Sequence, residues 1–132
     1  MANTTTVVIQ EDGPRNTVVT FLGTIDTPPL TTTVVLDPLA QFIDPGSPTT
    51  QYRVDTIDYV ISDSLEIQLQ WDATTPVQFL NLYGRGNWSI GKTEGGLKNT
   101  SGAGKTGKIT AISNTPAAGT YFFTIQMLCV KQ

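Results

Sequence analysis

The sequence predicts an all-β protein, a single-domain antiparallel β-sandwich of jelly-roll-like type with eight or nine short strands across residues 1–132. Three observations predict it. The first is composition: threonine supplies about one residue in six, glycine and proline are plentiful, and helix-favouring Glu, Lys and Ala are sparse. The second is strict alternation at Leu65-Glu66-Ile67-Gln68-Leu69-Gln70-Trp71-Asp72, where apolar and polar side chains exchange at every step. A strand sends successive side chains to opposite faces, so this stretch has one buried face and one wet face, whereas a helix would scatter the same four apolar groups. The third is punctuation, since turn chemistry recurs every 8–12 residues as sandwiches and barrels require.

In chain order, Thr4 to Gln10 reads as a first strand after a polar tail over residues 1–6, and Glu11-Asp12-Gly13-Pro14 supplies a turn. Asn16 to Ile25 follows as a Val- and Thr-rich strand that completes a hairpin, with Gly23 marking a bulge or a close backbone approach. Leu30 to Leu36 is a third strand beyond Thr27-Pro28-Pro29. From Asp37 to Thr50 three prolines and Gly46 disfavour regular structure, with room for one helical turn at Pro38–Phe42, and a long surface connection is expected. Tyr52 to Ile61, the alternating strand and Val77 to Tyr83 are joined by short links, which predicts an antiparallel meander.

Residues 84–107 differ in kind, holding most of the chain's 12 glycines together with Arg85, Lys92, Lys98 and Lys105. A short strand at Trp88 and Ile90 fits inside this region, and Gly95–Gly104 is expected to be mobile because glycine carries the largest backbone entropy. Lys108 to Ser113 and Tyr121 to Lys131 complete the strands. The last is apolar at Tyr121, Phe123, Ile125, Met127 and Cys129 on one face and at Phe122, Leu128 and Val130 on the other. A central strand covered on both faces explains that pattern, and so does a strand that contributes to a subunit interface, the first being preferred. Cys129, the only cysteine, excludes an intrachain disulfide and reads as a small core hydrophobe. The first residues carry neither the basic region nor the apolar core of a signal peptide, and no apolar run reaches membrane-helix length, so synthesis in a cytoplasm and no membrane partner are expected.

The formal charge of −3 is unevenly spread: residues 1–83 hold two cations and ten anions, and residues 84–132 hold six cations and one anion. Overall acidity argues against nonspecific nucleic-acid binding. The −8 and +5 halves suit either solvated surfaces or an acidic and a basic face that meet between neighbouring copies. Gly86-Asn87-Trp88-Ser89-Ile90-Gly91-Lys92-Thr93 matches the phosphate-loop pattern GxxxxGK[ST], but the glycine-rich stretch that follows is a poor helix and no parallel α/β scaffold surrounds it. Histidine is absent, which removes Ser-His-Asp and Cys-His catalysis and the commonest zinc ligand. Asp55 and Asp58, three apart, are expected on opposite faces of their strand. Glu66 and Asp72 share a face but lie ~20 Å apart at strand rise, too far for a glycosidase pair. Aspartates at 37, 44 and 63 lack calcium-ligand spacing. Among Trp71, Trp88, Tyr52, Tyr59 and Tyr83, which could form a sugar platform, Trp71 reads as core and Trp88 as the exposed contact. These readings expect no enzyme activity, no cofactor and no metal.

Taken together, the opening Ala2-Asn3-Thr4-Thr5-Thr6-Val7-Val8, Asp12-Gly13-Pro14-Arg15-Asn16, Trp71-Asp72-Ala73-Thr74-Thr75-Pro76-Val77, Gly95-Gly96-Leu97, Gly104-Lys105-Thr106-Gly107-Lys108-Ile109-Thr110 and the ending Val130-Lys131-Gln132 carry a resemblance. The chain resembles small virion structural proteins encoded among the head genes of tailed bacteriophages, over most of its length, through fold motifs with no site motif among them. That resemblance implies a particle component located in the virion capsid, often a cement or decoration protein that binds the major capsid protein and copies of itself, commonly as a homo-trimer. A tail, neck or baseplate position, and a carbohydrate-binding module on the virion surface, are the alternatives. Arg85, Trp88, Lys92, Lys98, Lys105 and Lys108 are the candidate partner-binding residues, with the glycine-rich loop and the N-terminal tail expected to order on contact.

Overall fold

A computed structural model describes residues 3–12, 16–26, 30–37, 51–89 and 96–131. Among them there is no helix, and two antiparallel sheets pack face to face. The strands are β1 (Thr4–Asp12), β2 (Asn16–Ile25), β3 (Thr33–Leu36), β4 (Tyr52–Ile61), β5 (Glu66–Trp71), β6 (Val77–Tyr83), β7 (Arg85–Ser89), β8 (Ile109–Ser113) and β9 (Tyr121–Lys131). One sheet has the order β1-β2-β9-β4-β7 and the other β3-β8-β5-β6. Pairing is nested: β2 with β9, β3 with β8, β4 with β7 and β5 with β6. The expected sandwich of short antiparallel strands is therefore present, as is the β1–β2 hairpin.

Cross-strand registry builds the core. In the larger sheet, Val7, Phe21, Ile125 and Tyr59 stand level across four strands, and Ile9, Val19, Met127 and Ile57 form the next row on the same face. Residues directly opposite each other share a face, so these rows present an apolar surface to the smaller sheet. From that sheet Ile67, Leu69, Trp71, Leu82, Ile109 and Ala111 answer, all fully buried. Trp71 stacks on Phe79 with ring centroids 3.9 Å apart and planes at 14°. The alternation read at residues 65–72 thus sets one wall of the core, with Glu66, Gln68 and Gln70 half-buried on the other face.

Four expectations are corrected. The meander over the fourth to sixth strands is broken, because β4 pairs with β9 and β7 while β5 pairs with β6 and β8. The short link at Ser62–Leu65, with Ser64 at φ 72°, carries the chain across the core from one sheet to the other. β9 does occupy the centre of its sheet, but its second face is covered only towards the C-terminal end: Phe122 is 60% exposed with Thr124 and Gln126 exposed beside it, whereas Leu128 is half-buried and Val130 buried. The polar tail is shorter than expected, since Thr4, Thr5 and Thr6 already pair with Thr24, Gly23 and Leu22. Gly23 marks a close approach there, where a Cβ would run into the Thr4 carbonyl oxygen. Finally, a bulge between Val54 and Thr56 breaks the parity argument for the carboxylates: Asp55 turns to an ion pair with Arg53 at 2.8 Å, and Asp58 lies on the exposed face. The helical turn expected at Pro38–Phe42 and most of the connection around it lie outside the described residues.

Trp71→Ala is expected to cost ~3–5 kcal/mol of unfolding free energy, because it empties the centre of the core. Thr124→Ala, on the open face of β9, should stay within ~0.5 kcal/mol of the parent. Urea unfolding followed by far-UV circular dichroism checks both.

Candidate partner-binding surface

The basic residues of the 84–108 region are divided by the fold. Gly84 carries the chain from the smaller sheet back to the larger one, with its carbonyl accepting the Ile61 N–H at 2.6 Å. Arg85 then opens β7 level with Val60. Leu97, at the far side of the region, makes a reciprocal pair of backbone hydrogen bonds with Val54 at 2.8 and 3.0 Å. Six residues of β4 separate those two anchor points, so Arg85 stands ~20 Å along the strand from the place where Lys98 begins. Lys98, Lys105 and Lys108 belong to the sandwich end where β4 starts and β5 stops; Arg85 belongs to the other. Lys92 lies outside the described residues.

The loop from Gly96 to Lys108 is tied to both sheets, which differs from the mobility expected of Gly95–Gly104. Besides the Leu97–Val54 bridge, Thr74 N–H donates to Ala103 O at 3.2 Å and Asp72 N–H to Lys108 O at 3.0 Å. Thr106 donates to Asp72 twice, its N–H to the carbonyl at 3.2 Å and its hydroxyl to Oδ2 at 2.7 Å. Glycine makes this docking sterically feasible. Gly96 (φ +89°) lies against Arg53 and Asp55, and Gly104 (φ +77°) against Thr74, where a side chain would meet both a forbidden backbone region and a clash. The result is a hydrogen-bonded seat at Asp72 with the Lys98 and Lys105 side chains left exposed and Lys108 half-buried.

Trp88 sits on β7 opposite Ile57, hence on the core-facing side of its sheet, yet it is 45% exposed because β7 is an edge strand. Tyr83 is exposed on the other sheet opposite Glu66, while Tyr52 and Trp71 are fully buried. The five aromatics therefore form no common platform, and Trp71 is core as its alternation indicated. Of the phosphate-loop pattern, Gly86 to Ser89 are extended and hydrogen-bonded to β4 as strand, a geometry that cannot wrap an anion as the loop of that motif does. Among the described residues no three His, Cys, Asp or Glu side chains converge as metal ligands.

Beyond the interface alternative for the last strand, sequence reasoning did not point to the outer face of the larger sheet. Its rows run Val8, Thr20, Gln126, Asp58, Asn87 and Thr6, Leu22, Thr124, Val60, Arg85, every member contributed by a different strand. The Asn87 amide donates to Asp58 across the edge pair. A shallow hollow of about 250 Å³ lies over Thr20, Asp58, Val60, Thr124 and Gln126. Polar, β-branched and apolar groups alternate across it, which suits a partner of mixed surface chemistry. The only signal in the sequence was the second apolar set of β9. No protein-family model, no curated protein and no solved structure matches the chain.

Two predictions follow from the buried thiol and the docked loop. Burial pushes the Cys129 thiol well above its ordinary range, and the nearby Asp55 charge adds to the shift. The native thiol should therefore resist aromatic disulfide reagents until the chain unfolds. As pH rises above ~8.5 the unfolded chain releases this proton and the native one keeps it, so stability falls with pH, and Cys129→Ala should show a shallower alkaline decline. Asp72→Ala should speed hydrogen exchange at Thr106 and Lys108 several-fold while leaving exchange in β9 unchanged, measured by amide-resolved mass spectrometry or NMR.

Proposed function

We propose that this chain is a non-enzymatic virion structural protein of a tailed phage, a cement or decoration protein whose sandwich is a jelly roll bound to the capsid shell. The observation that carries the reading is the nested strand pairing. Setting β1 aside, the first strand pairs with the last, the second with the next to last, and so inward to β5 with β6. Such a pattern is that of one long hairpin rolled around a core, an architecture recurrent in viral capsid and lectin domains. Fold alone supplies an analogy, and the surface supplies the rest. Rows of mixed polar and β-branched groups on an open sheet face, an anchored loop carrying exposed Lys98 and Lys105, and a core with a single buried thiol suit a protein that works by covering its neighbours. The resemblance of the sequence to phage head-gene products points the same way. The exposure of Trp88 favours a second reading, glycan binding at the virion surface, which a glycan array tests.

Purified protein should co-sediment with heads of the parent phage that lack it, saturably and in hundreds of copies per head, as a lattice component with interfaces of ~1,600 Å² would. A handful of copies would relocate it to the neck or tail, and no binding would contradict the reading. If the loop lysines meet an acidic neighbour, Lys98→Ala/Lys105→Ala should weaken binding and flatten its salt dependence.

A further inference from the structure

Four strands lie at sheet edges: β1 and β7 in the larger sheet, β3 and β6 in the smaller. Edge strands expose unpaired N–H and C=O groups, and proteins blunt them with short length, charge, proline, glycine or bulges. Three of the four are blunted. β7 has five residues and contains Arg85 and Gly86. β3 has four residues and a register shift between Val34 and Leu36. β6 follows Pro76, breaks register against β5, and turns Leu80 and Leu82 into the core.

β1 is different. It has nine residues, and from Thr4 to Gln10 it contains no charge, proline or glycine. Its apolar side chains point to both faces yet stay in the open: Val7 and Ile9 on the core side and Val8 on the outer side are 37%, 37% and 39% exposed. The larger sheet has one strand more than the smaller, and β1 is its outermost, so Val7 and Ile9 overhang the core rather than closing it. The bulge after Ile9 blunts only its end, and the fold itself gives no use for β-branched side chains on both sides of the regular run from Thr4 to Ile9.

We propose that β1 is a docking strand for a second copy of this chain, the two β1 strands pairing antiparallel about a two-fold axis near Val7 and merging two five-stranded sheets into one. Charge argues for this occupant. A two-fold pairing about Val7 sets that residue against its own copy and each neighbour against its mirror position, so a charge at or beside the axis would come close to a like charge. About Val7 the opposed pairs are Val7 with Val7, Thr6 with Val8, Thr5 with Ile9 and Thr4 with Gln10, all uncharged and mostly β-branched. The partner's Val7 and Thr5 would cover the overhanging Val7 and Ile9 on the core side, and its Thr6 would cover Val8 on the other. The bulge between Ile9 and Glu11 ends the regular edge where the acidic residues begin.

The inference stands apart from the virion reading, since self-association needs no phage head. Sedimentation-velocity analysis of the full chain tests it at about 100 µM, enough to populate a dimer with a dissociation constant of ~10 µM. The expected species has twice the 14.2 kDa chain mass. Val7→Lys opposes two ammonium groups at the axis and should weaken dimerisation at least tenfold with an unchanged circular dichroism spectrum. In a second variant, Val7→Cys should cross-link to itself under mild oxidation, whereas Val34→Cys on the β3 edge should not; the buried Cys129 stays silent in both. A monomeric parent chain, an oligomer indifferent to Val7→Lys, or a Val7→Cys that fails to cross-link would overturn the proposal.

Discussion

The register of β9 is the constraint on which the rest of this structure depends. It is hydrogen-bonded along its length to β2 on one side and β4 on the other, so it joins the beginning, middle and end of the chain in one sheet. Because side chains alternate with period two, slipping β9 by a single residue would expose Phe123, Ile125, Met127 and Cys129 together and bury Thr124 and Gln126. Each large apolar side chain returned to water costs ~1.5–3 kcal/mol. Three or four of them match the whole stability of an ordinary domain, ~5–15 kcal/mol, so the register admits no near competitor. Phe21 against Phe123, with ring centroids 5.1 Å apart, locks β2 to β9 on the same face.

Strand positions were legible in the sequence because alternation and turn residues act locally. Leu65 to Trp71 announces both its conformation and its buried face, and Tyr121 to Cys129 its conformation. Assignment of strands to sheets was not legible. The pattern says that Ile57 and Ile61 on β4, and Ile67 and Leu69 on β5, each need an apolar neighbour; it is silent on whether that neighbour lies beside the strand or across the core. A four-residue link serves either geometry, and here it crosses. Two smaller misreadings share a cause. The bulge at Asp55 shifts parity within β4, and outward Phe122 carries the same apolar letter as inward Phe123.

The candidate surface was legible as composition and illegible as geometry. Arg85, Lys98, Lys105 and Lys108 are near one another in sequence, but the length of β4 lies between the first and the others. Glycine content suggested looseness, whereas Gly96 and Gly104 are the residues that let the loop lie flat against β4 and the β5–β6 turn. Each row on the open face of the larger sheet draws one residue from each of five strands and so leaves no contiguous trace in the sequence.

Cryo-electron microscopy of the parent phage particle, with symmetry applied to the shell, tests the central claim most directly. The account predicts density for this nine-stranded sandwich repeated across the capsid lattice, seated on the major capsid protein. A fully resolved shell with no such density, in particles shown by mass spectrometry to lack the chain, would contradict it.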